Sequence, residues 1–112
     1  MVAPAQGSPL IAREEPAAKG PSLGAHWRRT SIVSDGPRDD HLVLRNDGTA
    51  QRWSVTATGR SPTLQGRWNN SALTLTVLVD NGGETSAPFT FYEGQLVWPN
   101  IPNQRAFWER LD

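Results

Sequence analysis

The sequence predicts an all-β protein, a single eight-stranded antiparallel up-and-down barrel behind a flexible N-terminal arm. Three observations carry this prediction. Apolar and polar residues alternate with a period of two from residue 25 onward. Turn-forming clusters recur along the same stretch at roughly the spacing of short strands. No segment shows a helical 3.6-residue period of useful length.

The arm comes first in the chain. Residues 1–22 contain four prolines, five alanines, two glycines and two serines, and form no periodic apolar face. Such a segment buries too little surface to offset the entropy of ordering it. Leu10-Ile11 is its one apolar pair and a possible docking point. The domain then occupies residues 23–112.

Seven clusters of Gly, Asn, Asp or Pro divide the domain. They are Asp35-Gly36-Pro37, Asn46-Asp47-Gly48, Gly59-Arg60-Ser61-Pro62, Asn69-Asn70-Ser71, Asn81-Gly82-Gly83, Glu93-Gly94 and Pro99-Asn100-Ile101-Pro102-Asn103. These residue types tolerate the dihedral angles of tight turns. The segments between them alternate. Trp53, Val55 and Ala57 share a face opposite Arg52, Ser54 and Thr56. Leu64, Gly66 and Trp68 oppose Thr63, Gln65 and Arg67. Leu73, Leu75, Val77 and Val79 oppose Ala72, Thr74 and Thr76. Ala87, Phe89 and Phe91 follow on a strand over 85–92, then Leu96 and Trp98. One apolar and one polar face is the pattern of an antiparallel sheet with one wet side. Short links favour a meander, and a meander that closes removes its exposed edges.

Composition narrows the function classes. Eleven basic and eleven acidic residues give a net charge of zero, without the excess positive charge that nucleic acid and anionic membranes attract. Ten of the eleven basic residues are Arg, which suits planar, stacked contacts. There is no Cys, so disulfides and Cys-based zinc sites are excluded. No apolar run reaches the roughly 18 residues of a membrane-spanning helix. Residues 1–22 hold no signal-peptide apolar region, although Ala3-Pro4-Ala5 resembles the end of a cleaved signal. The compartment therefore stays open.

Four motifs together resemble one family. Gly24-Ala25-His26-Trp27 opens the first strand. Leu44-Arg45-Asn46-Asp47-Gly48-Thr49 forms the second turn. Gly66-Arg67-Trp68 precedes Leu73-Thr74-Leu75, and the chain ends Arg105-Ala106-Phe107-Trp108-Glu109-Arg110-Leu111. In this order they resemble the lipocalin-like, or calycin, small β-barrels of bacteria. The resemblance covers residues 23–111. It implies that Trp27 packs beneath Arg110, or Arg105, and that the pair plugs one end of the barrel. A guanidinium over an indole contributes roughly 0.5–2 kcal/mol. The first motif is spaced Gly-x-x-Trp, where the family has Gly-x-Trp.

No catalytic set is legible. His26 and His41 have no acidic or imidazole neighbour at ligand spacing in the sequence, so no metal and no cofactor are expected. No Ser lies in a nucleophile elbow. Asp39 and Asp40 point to opposite faces of a strand and make a poor acid–base dyad. Asn81-Gly82-Gly83 precedes no helix and is a hairpin turn rather than a phosphate loop.

Binding is the remaining class, and five tryptophans are its main signal. The candidate ligand- or partner-binding residues are Trp53, Trp68, Phe89, Phe91, Trp98 and Trp108. Most of these large side chains are expected to fill a barrel only just wide enough for them. Phe107 and Trp108 are adjacent on the last strand, so one of them faces outward. The leading expectation is a non-catalytic binding or accessory protein acting by protein–protein contact. The alternatives are a carrier of a small apolar ligand and a barrel similar to bacterial metalloprotease inhibitors, which use an N-terminal arm.

Overall fold

The computed structural model describes residues 22–112. The arm expected over 1–22 therefore lies outside the described residues, Ser22 apart. The strands are β1 (His26–Val33), β2 (Gly36–Leu44), β3 (Thr49–Thr56), β4 (Gly59–Arg60), β5 (Leu64–Ser71), β6 (Thr74–Val79), β7 (Glu84–Pro88), β8 (Thr90–Tyr92), β9 (Gln95–Val97) and β10 (Phe107–Arg110). All pairings are antiparallel, and the described residues contain no helix.

The sheet runs in the order β7-β6-β5-β3-β2-β1-β10-β9-β8, with β4 hydrogen-bonded to β3 off this path. Its two ends, β7 and β8, are successive in the chain with only Phe89 between them. The path thus turns back on itself and the barrel is nearly closed. Nine strands lie on the path where eight were expected. The extra one arises because the segment expected as one strand over 85–92 breaks at Phe89. Its first half pairs with β6 and its second half with β9. At the break, the Phe89 amide donates to the Leu73 carbonyl, and the Asn100 amide donates to the Pro88 carbonyl.

Inward-pointing residues form one apolar core. Trp27, Leu42, Leu44, Ala50, Leu75, Val77, Leu96, Trp98 and Trp108 are buried in it, with Trp68, Phe89 and Phe91 packed against it. The buried indoles satisfy their N–H groups on backbone carbonyls. Trp27 donates to Leu23 (2.9 Å), Trp98 to Leu75 (3.2 Å) and Trp108 to Trp98 (2.7 Å). An unpaired buried N–H would cost about 1–3 kcal/mol. Gly66 on β5 stands opposite Val79 on β6, and a Cβ there would stand 2.7 Å from the Val79 Cα. Only glycine permits that approach.

Two expectations from the alternation are corrected. On β3 the inner set is Ala50, Arg52 and Ser54, so Trp53 and Val55 face outward. Parity is set by pairing: Ala50 stands opposite Leu44 and Gly66, and all three share the inner face. The turn expected at Asn69-Asn70-Ser71 instead falls at Ala72-Leu73, because β5 stays paired to β6 through Ser71 and Thr74. Leu73 consequently sits at a hairpin tip, 72% exposed, rather than in the core.

Candidate functional site

Three places on this frame present side chains that packing does not consume. The first is the outer face of β8, β9 and β10. Tyr92 and Phe107 meet edge to face there, with ring centroids 6.4 Å apart. They are 56% and 44% exposed. Phe107 stands opposite Val97, which is buried. Its chain neighbour Trp108 points the other way and is only 3% exposed. The outward aromatic of the last strand is thus Phe107. Its partner Tyr92 was not singled out from the sequence, although it alternates outward with Phe91 on β8 and so shares Phe107's face.

The second place is a stack on the outer face of β1 to β4. The rings of His41 and Trp53 lie parallel within 5°, 4.8 Å apart. The Arg60 guanidinium lies over Trp53 at 4.6 Å. His26 closes the group, its Nε2 2.9 Å from His41 Nδ1. Burial, together with the charges of His26, Arg28 and Arg60, lowers the His41 pKa below the ordinary histidine value. Around the stack, Arg28 pairs with Glu109, and the Thr30 hydroxyl donates to Asp39 (2.7 Å).

The third place is the rim of the barrel on its inner face, at the end where β2 begins and β3 finishes. A cleft of about 180 Å³ opens there, lined by Arg38, Asp40, Arg52, Ser54, Leu64 and Val79, and bordered by His41 and Trp53 of the stack. Asp40 accepts from Arg38 Nε (3.0 Å) and from the Ser54 hydroxyl (2.7 Å). Burial lowers the Arg52 pKa, an effect that Asp40 opposes and Arg38 reinforces.

The residues expected to bind fall on different sides of the wall. Trp98 and Trp108 are core residues. Trp68, Phe89 and Phe91 are half-buried against the core, and the Trp68 indole donates to the Arg45 carbonyl (2.7 Å). Trp53 alone of the six belongs to an outward cluster. Trp27 and Arg110 stand directly opposite each other in the β1–β10 pairing. The Arg110 Nε lies 3.6 Å from Asp112, and the guanidinium–indole stack among the described residues is that of Arg60 on Trp53.

Among the described residues no three His, Cys, Asp or Glu side chains cluster closely enough to hold a metal ion. No helix among them is long and apolar enough to cross a membrane. No family model, curated protein or solved structure matches the chain.

Proposed function

We propose that this chain is a non-catalytic binding module of lipocalin-like architecture that contacts a protein partner through the outer face of β8–β10, centred on Tyr92 and Phe107. The observation that carries the reading is the exposed edge-to-face pair. Aromatic residues are enriched at protein interfaces, and a few of them supply most of the binding energy. Each ring already rests on a rigid sheet, so little conformational entropy is lost on binding. The lipocalin-like assignment is supported by the nearly closed meander and by the pairing of the first strand with the last, in which Trp27 and Arg110 are backbone partners.

Protein contact is favoured over carriage of an apolar molecule by the state of the interior. Trp27, Leu42, Leu75, Leu96 and Trp98 are fully buried there, and they occupy the space a carried molecule would need.

The test uses two variants, Phe107→Ala and Tyr92→Ala. Binding to a protein recovered with the wild type should weaken about 30-fold for at least one of them, the loss expected of a hot spot. Thermal unfolding should be little changed in both. Unchanged affinity in both variants would remove this face as the interface.

A further inference from the structure

We infer that the rim cleft where β2 begins and β3 finishes binds a compact oxyanion, a carboxylate or phosphate group, through Arg52 and Arg38. This site is separate from the Tyr92–Phe107 face, and neither depends on the other.

Strand parity carries the first step. Leu42 and Leu44 point into the barrel, so Arg38 and Asp40 on the same strand do too. Ala50 points inward, and so therefore do Arg52 and Ser54. Trp27 points inward, which places Arg29 on the inner face opposite Asp40. The inner wall thus changes from apolar to polar along its length. Three arginines share the polar end of the inner face with Asp40, and Arg38 is the one paired to its carboxylate.

Charge and hydrogen bonding carry the second step. Asp40 Oδ1 is already engaged by Arg38 and Ser54. Arg52 stands on β3 between Leu42 and Leu64. It has no carboxylate within ion-pair distance among the described residues. A guanidinium offers five N–H donors in a planar fork and cannot neutralise itself by losing a proton. A half-buried guanidinium without a close counter-ion, in an open cleft, is matched by an oxyanion that accepts two of its N–H groups.

Shape carries the third step. The Ser54 hydroxyl stands beside the charged groups, and Leu64 and Val79 form an apolar wall. A cleft of about 180 Å³ admits a small ring or short chain but not a long lipid. The ligand class is a compact molecule with one anionic end and a small apolar body.

The test is titration of the full chain with benzoate, phenyl phosphate and neutral benzamide at low ionic strength, followed by NMR of the arginine Nε–H signals and by thermal unfolding. Benzoate or phenyl phosphate should shift the Arg52 and Arg38 signals saturably and raise the melting temperature, with added salt weakening both effects. The better of the two probes identifies the anionic group. Arg52→Gln should weaken binding about tenfold or more, the loss expected for a charge-assisted hydrogen bond. Arg38→Gln should weaken it as well, so the inference can be tested even if one variant fails to fold. Benzamide acting as strongly as benzoate, or no saturable arginine shift with either anion, would overturn it.

Discussion

His26 Nε2 and His41 Nδ1 lie 2.9 Å apart, so one imidazole must donate to the other and the pair cannot both be cations in this geometry. Burial, with Trp53 stacked on one side, disfavours the charged form of His41, and His26, Arg28 and Arg60 add to this. The folded protein therefore holds His41 neutral to lower pH than the unfolded chain does. The unfolded chain binds the proton first as pH falls below 6.5, and stability drops through that window down to the lowered folded pKa. Melting temperature should decline over this range. His41→Phe keeps a ring against Trp53, removes the titration, and should flatten the decline. Equal slopes in both proteins would show that the pair does not govern it.

Adjacent residues on β10 should respond in opposite ways. Trp108→Ala empties a core position and removes the hydrogen bond to the Trp98 carbonyl, at a cost of about 3–5 kcal/mol. Phe107→Ala acts on the outer face and should cost less than about 1 kcal/mol. Denaturant unfolding of the two variants checks this. A larger loss for Phe107→Ala would place that ring in the core.

Gly66→Ala should be among the most destabilising single-methyl changes in the chain. The new Cβ would meet the Leu78 carbonyl and the Val79 Cα, both backbone atoms that move only with the strand. A loss of about 1–3 kcal/mol or more is expected. A neutral result would mean that β5 and β6 separate easily.

Ala72 has a φ of 51°, a left-handed conformation that disfavours a Cβ. Ala72→Gly should relieve it and raise stability by about 0.5–1 kcal/mol, net of glycine's greater unfolded-state entropy. Chemical denaturation measures the difference, and a lower midpoint would contradict the hairpin geometry at Ala72-Leu73.

Much of the fold was legible because core and turn chemistry agree in most segments. Leu75, Val77 and Val79 alternate inward as expected, and Asn46-Asp47-Gly48 turns where its side chains favour a turn. Within that turn, Asp47 accepts from both the amide and the hydroxyl of Thr49. The failures share one cause. On β3, hydrophobicity favours Trp53 and Val55 inside, but inter-strand pairing puts Ala50, Arg52 and Ser54 there. At Asn69-Asn70-Ser71 local turn preference yields to a ladder that continues to Ser71. Register is a long-range property, and alternation within one segment does not determine it.

The same limit applies to function. The outward choice between Phe107 and Trp108 was visible as an alternation, but Tyr92 joins Phe107 only through the pairing of β8 and β10 with β9. The polar rim was hidden because Arg52 and Ser54 read as the wet face of β3 until pairing turned them inward. His26 and His41, 15 residues apart in sequence, meet only across the β1–β2 pair.

The most direct test of the central claim, a packed barrel that binds a protein with its outer face, is native mass spectrometry. Wild type and a Tyr92→Ser/Phe107→Ser double variant would be recovered gently from the host. The account predicts a partner protein at fixed ratio on the wild type and its loss from the equally folded variant. A partner retained by the variant, or a small apolar molecule released only on denaturation, would contradict it.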